Sequence, residues 1–355
     1  MTGAGSVTGT VAVPARMRAG VWSAPGRPPT VETVPTPLPE GPDDVLVGVR
    51  AAMFGAALVR AVTAAHPKLS PPAVLGTLVA GEVVATGAAV IGVRPGQAIT
   101  FDPHPPCGEC AECVDGLPEL CAARHRVQPG AHAEYVRIRP PLTRHIAPIP
   151  PGVSFPAAML TEIVACVLDA TELAGIGPGQ DVLVLGCGPV ALIQLQLARA
   201  HGARRVLCSV KHPARAALVR WFGGEPVPAG PDLDARVAEL TGGRGPHVVV
   251  EAVGSGDTYR TALRTVRTGG TVVGFGGCPK GTEIAVDPND IHYRRIRFLG
   301  SYHYRPGYFH RAVDLLADGT VDVEPMITHR IPLDRIADAV RIARSPECIV
   351  PVIEP

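Results

Sequence analysis

The chain has 355 residues, is 46% hydrophobic, and carries 33 basic against 32 acidic side chains for a formal net charge of +1. That length exceeds one ordinary core and suits two domains, while the balanced, interspersed charge gives no field that would gather nucleic acid or an anionic membrane. There is no run of about eighteen apolar residues, and the opening MTGAGSVTGTVAVPAR lacks the layout of a secretory signal, so the expected setting is the cytoplasm and the expected partners are small molecules or copies of the chain.

Residues 1–16 are small and patternless and read as a disordered extension; a self-contained beginning comes at Met17 with MRAGVWSAP. From Val31 to about Pro150, short apolar runs such as DDVLVGVRAA, GEVVATG and AEYVRI are cut by Gly and Pro, the pattern of a mostly β domain. Within it Cys107, Cys110, Cys113 and Cys121 fall in a Cys-x-x-Cys-x-x-Cys-x7-Cys array on an excursion spanning 102–125. Four thiols so spaced can converge tetrahedrally on one zinc and leave it no open position, so such a metal holds a loop and does not polarise substrate. Cys166, Cys187, Cys208, Cys278 and Cys348 are scattered through apolar runs and read as buried thiols.

After Pro156 strand and helix alternate: DVLVLG, VALIQLQLARAHG, RRVLCSV, a helix near Arg215 to Phe222, HVVVEAVG, another helix, GGTVVGFGG. Alternation at this spacing predicts a parallel, doubly wound α/β sheet. Gly186-Cys187-Gly188-Pro189-Val190-Ala191 follows the run VLVL and opens an amphipathic helix, the context in which G-x-G-x-x-[GA] marks a dinucleotide site. Gly186 is expected to make the tight turn and Gly188 to admit a pyrophosphate. Ala191 is expected to let the helix pack closely, with the helix's N-terminal amides facing the phosphates. The second strand ends in Ser209-Val210-Lys211-His212, without the carboxylate that binds ribose hydroxyls in NAD sites; with Lys211 and Arg215 nearby, NADP(H) is favoured over NAD(H). IRFLGSY supplies a late strand. Residues after about Tyr302 are expected to return to the first domain, giving a β domain of 17–155 with 302–355 and a dinucleotide domain of 156–301. His292, Tyr293, Tyr302 and His303 form a polar aromatic group near the late strand, readable either as packing or as a cleft lining.

In order, GEVVATG, VRPGQAITFDP, the four-cysteine lobe, GAHAEYV, LTEIVACVL, the fingerprint segment and VEAVGS resemble the zinc-dependent medium-chain alcohol and polyol dehydrogenases over essentially all of 17–355. The resemblance implies a GroES-like catalytic domain, a Rossmann domain, a cofactor and substrate cleft, and a homodimer or homotetramer. It also implies a second, catalytic zinc, and there the chain departs from the pattern. Phe54 stands where a Cys ligand is expected, Ala56 where a hydroxyl relays the proton, Ala57 at the following Asp, and Thr77 and Leu78 at the His and Glu. Glu162 alone matches a ligand position of the polyol-type enzymes, and one carboxylate does not make the three protein ligands of a catalytic zinc.

The implied activity is therefore hydride transfer between a nicotinamide and a small oxygenated metabolite, with a hydrogen-bond donor or acid in place of the metal. Phe54, Ala57, Val59 and Leu78 are expected to make the former metal pocket apolar. Glu162, readable either as a proton donor or as a paired relic, and Thr77 are the candidate catalytic residues, with His66 and Tyr302 as further donors, and His132 and His104 are assigned to structure or surface. Conjugate reduction, a redox-neutral reaction in which the hydride leaves and returns, and a non-catalytic nucleotide-binding relic remain open alternatives.

Overall fold

The computed structural model describes residues 12–64, 70–124 and 130–355. His66, most of the N-terminal extension and the last residue of the cysteine excursion lie outside the described residues. The chain divides into two units: residues up to Glu162 with Phe309–Ala317 and Val323–Pro355, and Ile163–Tyr308 with Asp318–Asp322.

In the first unit, alternation on Val45–Met53 and Val79–Thr86 buries Val45, Val47, Val49, Val79 and Val83 with Ile99, Phe101, Val136 and Ile138 in one core. These strands belong to a seven-stranded sheet in the order Ile327–Pro332, Val350–Glu354, Val45–Met53, Val79–Thr86, Ala98–Phe101 and Ile146–Pro148, with Tyr135–Ile138 also paired to Val45–Met53. The C-terminal strand enters antiparallel through Val352 opposite Met53. A three-stranded sheet orders Thr30–Pro35, Arg16–Trp22 and Ala73–Val74. Its central strand takes in Arg16, paired with Pro35, so ordered structure starts inside the stretch read as a disordered extension. Backbone pairing decides this, since nothing in the side-chain pattern of 12–16 announces a strand.

His132 fastens three segments of this unit. Its carbonyl accepts the Gly20 N–H at 2.8 Å, its N–H donates to the Leu75 carbonyl at 2.9 Å, and its Nε2 meets the Met53 carbonyl at 3.1 Å. The ring is fully buried, lies 5.3 Å from the Phe54 ring at an interplanar angle of 18°, and leaves Nδ1 without a partner.

In the second unit, six parallel strands order as Glu225–Pro228, Arg205–Val210, Asp181–Leu185, Val248–Glu251, Thr271–Gly274 and Arg297–Gly300. In chain order this is 3-2-1-4-5-6, the doubly wound dinucleotide-binding arrangement. All five residues of Asp181–Leu185 and all four of Val248–Glu251 are buried, as parallel strands covered on both faces require. Leu183, Leu185, Leu207, Val249 and Val272 pack with Leu233, Val237 and Leu263 of the covering helices.

Burial lowers the His132 pKa from 6.5 to about 4, against the smaller opposing effect of the Met53 carbonyl. Between those two values the unfolded chain takes up a proton that the folded chain refuses, so this contribution to stability is complete above pH 6.5 and is lost as pH falls toward 4, by at most about 3 kcal/mol. Urea unfolding midpoints measured from pH 7 to pH 4.5 should fall with acidity, and the fall should be shallower in His132→Gln. Equal slopes in the two proteins would contradict the assignment.

Candidate functional site

The central strand of the second unit ends at Leu185, and the chain must then turn sharply into the helix Pro189–Ala200. Gly186 makes that turn at φ +113°, a conformation costly for any side chain, and a Cβ there would also press on Val253 at 3.1 Å. Gly188 caps the helix without a side chain, and a Cβ built on it meets nothing within 4 Å. The first-turn amides thus face open space, Pro189 occupies the first position, and the first turn holds no acidic residue. Val190 is half-buried and Ala191 fully buried beneath the turn. This is the cradle that a pyrophosphate requires, and the dinucleotide fits it.

Neighbouring strands fix the cradle. The Gly186 N–H donates to Ser209 Oγ at 2.8 Å, and the Cys208 thiol donates to the Gly186 carbonyl at 3.1 Å. Arg215 is half-buried and its Nη1 donates to the Cys187 carbonyl at 2.9 Å, which brings a guanidinium to the loop. Lys211 is exposed just beyond the end of its strand. The structure therefore brings Gly186, Ser209 and Arg215 together and leaves Lys211 to solvent. The Cys187 thiol is held below its usual range by hydrogen bonding with Cys208 and by Arg215, while Cys208 is pushed well above it by that same bond and by burial.

Sequence reasoning passed over Glu251. This carboxylate is fully buried at the end of Val248–Glu251 and accepts the N–H groups of Val253 and Gly254, both at 2.9 Å, and the Thr258 hydroxyl at 2.7 Å. It shapes the loop whose Val253 rests on Gly186. An acidic residue closing the run VVV was the available signal, because an acid at the end of a buried strand needs local donors.

In the first unit, the ligand atoms of Cys107, Cys110, Cys113 and Cys121 all lie within 4.8 Å of one another. Cys121 Sγ is 3.5 Å from Cys107 Sγ and 3.7 Å from Cys110 Sγ, near the roughly 3.8 Å edge of a tetrahedron with 2.3 Å zinc–sulfur bonds. The Cys110 N–H points at Cys107 Sγ at 3.3 Å and the Cys107 N–H at Cys121 Sγ at 3.4 Å, which favours thiolate. The set fits one zinc with all four positions filled by protein. Val114, Leu117 and Leu120 of the lobe are exposed, so the lobe has little core of its own, and Arg124 ties it through the carbonyls of His104 and Pro118. Among the described residues this is the one group of three or more His, Cys, Asp or Glu side chains placed to hold a metal.

Phe54 does not line an open pocket. Its side chain is fully buried with Trp22, Val62, Leu75 and Ile336, and Leu58 and Val59 pack against that cluster. The expected apolar wall is here part of the core, because a large ring stacked on His132 gains more by burial than by facing a cavity. The Met53 N–H donates to the Leu78 carbonyl at 3.0 Å, which fastens the loop carrying Thr77 to the strand end carrying Phe54. Thr77 is half-buried, and so is Glu162 in the first turn of the helix Thr161–Leu173. Tyr302 and Tyr293 are largely exposed, and ring contacts join His292 with Tyr293 and Tyr302 with His303.

The alcohol dehydrogenase GroES-like domain profile matches residues 41–151, and that of the zinc-binding dehydrogenases matches 189–318. The chain is 30% identical to L-galactonate-5-dehydrogenase of Escherichia coli K12 over 85% of this chain and 88% of that one. It is 31% identical to L-threonine 3-dehydrogenase of Chelativorans sp. BNC1 over 88% and 91%. A zinc-binding dehydrogenase from Sinorhizobium meliloti 1021, solved bound to NADP, superposes with a TM-score of 0.88 at 32% identity, covering 96% of this chain and all of that one. With the two folds, the dinucleotide cradle and the four-sulfur lobe in place, the chain belongs to the zinc-binding medium-chain dehydrogenase family and is an NAD(P)-dependent oxidoreductase.

Proposed function

We propose that the chain is an NADP(H)-linked oxidoreductase of a small oxygenated metabolite, an alcohol and ketone pair or an enone, and that it works without a catalytic zinc. The observation that carries the zinc-free reading is Phe54, which fills the position of a ligating Cys with a ring buried in the core and stacked on His132. The cofactor preference rests on Arg215, held at the fingerprint loop through the Cys187 carbonyl, and on the lack of a carboxylate from Ser209 to His212. The relative solved with NADP supports it.

A bound nicotinamide would supply or take the hydride. The chain's own tasks are then to hold the dinucleotide at Gly186–Ala191 and to move a proton at the substrate oxygen, or at carbon for an enone. Glu162 and Thr77 are assigned that proton, Glu162 as acid or base and Thr77 as hydrogen-bond donor. Without a Lewis acid, a carbonyl must be polarised by hydrogen bonding alone, which suits substrates already activated by conjugation.

Loss of a charge-assisted contact to the 2′-phosphate in Arg215→Ala should weaken NADPH binding by roughly 10- to 100-fold and leave NADH binding within about twofold, read by fluorescence titration. Equal weakening of both cofactors would mean that Arg215 serves only the loop. Metal analysis of the purified chain should return one zinc per chain, lost in Cys113→Ser together with thermal stability. Two zincs per chain would sink the zinc-free reading. Glu162→Gln should lower kcat by about 10²- to 10⁴-fold with unchanged cofactor affinity, and an unaltered kcat would remove Glu162 from the chemistry.

A further inference from the structure

The amino ends of the parallel strands in the second unit, opposite the edge that carries Gly186 and Gly188, enclose a cavity of about 310 Å³. It is lined by the segments that enter Val248–Glu251, Thr271–Gly274 and Arg297–Gly300, and four of its side chains are Arg244, Arg264, Arg267 and Arg294, against one carboxylate, Asp234. Two of these arginines are spoken for. Arg264 pairs with Asp234 through two nitrogens, one at 3.2 Å, and Arg294 is held by Asp290 at 3.0 Å and by the carbonyls of Leu263 and Val266 near the end of the helix Gly256–Thr265. Those contacts are the ordinary service of cations at a helix C-terminus.

Arg267 and Arg244 are different. Among the described residues neither has a carboxylate within 4 Å. Arg267 is half-buried, its Nε reaches the Thr268 carbonyl at 3.3 Å, and its Nη1 lies 2.7 Å from His247 Nε2. Burial and the charge of Arg267 lower the His247 pKa, so the ring gives the arginine no negative partner. Arg267 and Arg244 thus keep their charge uncompensated at the cavity wall, and what completes this geometry is an acceptor carrying negative charge and several oxygens.

We infer that this cavity is a binding site for a small multivalent oxyanion, a phosphate monoester or a polycarboxylate, which accepts from Arg267 and Arg244 together. The anion neutralises the arginines that Asp234 leaves uncompensated. Its place at the amino edge of the sheet sets it apart from the pyrophosphate cradle at the carboxyl edge, so it modulates stability or turnover without competing for the dinucleotide.

Thermal unfolding of the full chain with saturating nicotinamide dinucleotide, which keeps phosphate out of the fingerprint loop, tests this. Inorganic phosphate and citrate are titrated separately at constant ionic strength held with chloride. Tm should rise by about 2 °C with at least one of them, and their relative effect tells phosphate from polycarboxylate recognition. The rise should vanish in Arg267→Gln and shrink in Arg244→Gln, an exposed position whose change spares the fold, with dinucleotide affinity unchanged in both. No rise with either anion, or a rise of equal size in the two variants, overturns the site.

Discussion

Everything chemical in the second unit follows from burying a parallel sheet on both faces. Asp181–Leu185 is fully buried between the neighbouring strands Arg205–Val210 and Val248–Glu251, so polar function is pushed to the strand ends. At the carboxyl edge the turn into a helix exposes amides, and the surroundings meet that with Ser209 on the Gly186 N–H and Glu251 on the Val253 and Gly254 N–H groups. A buried carboxylate such as Glu251 is tolerable only with that set of donors, and supplying them fixes the loop beside the fingerprint. The amino edge has the reverse polarity. Helix C-termini and strand starts gather arginines, and the cavity among them holds more cationic charge than the helix ends can absorb.

The first unit obeys a different constraint, the packing around one buried ring pair. His132 and Phe54 form the hinge of that packing: the ring pair is buried, while the His132 backbone and Nε2 join Gly20, Leu75 and Met53. The orphaned Nδ1 is the remaining cost, and it makes this histidine a source of acid sensitivity.

Much of this was legible in the sequence, and the reasons are local. Gly186 to Ala191 between a four-residue apolar run and an amphipathic helix specifies strand, turn and helix within about fifteen residues, and four cysteines within fifteen positions specify one metal lobe. The features that escaped are long-range. Arg16 enters a strand because Pro35 pairs with it, Phe54 leaves the pocket because His132 offers a stacking face, and the arginine cavity assembles residues from 234 to 294 that share no motif. His292, Tyr293, Tyr302 and His303 looked like one cluster because they are close in sequence, and ring contacts join His292 with Tyr293 and Tyr302 with His303.

On the zinc-free reading proposed here, the contrast between a retained lobe and a replaced catalytic position has a physical basis. A four-thiolate zinc contributes folding energy to a segment with little core, so losing any one of Cys107, Cys110, Cys113 or Cys121 leaves unpaired thiolates and an unsupported lobe. A catalytic zinc contributes to chemistry, not to folding, and its ligands come from distant parts of the chain, here the positions of Phe54, Thr77 and Glu162. Removing one such ligand alone would strand the other polar groups in a partly buried site, each at a cost of about 1–3 kcal/mol. Replacing them as a set avoids that cost, and a ring at Phe54 converts the site into core. On that reading the buried ring of Phe54 is a packing solution in place of a ligand, and Glu162 is the retained polar group to which the proton is assigned.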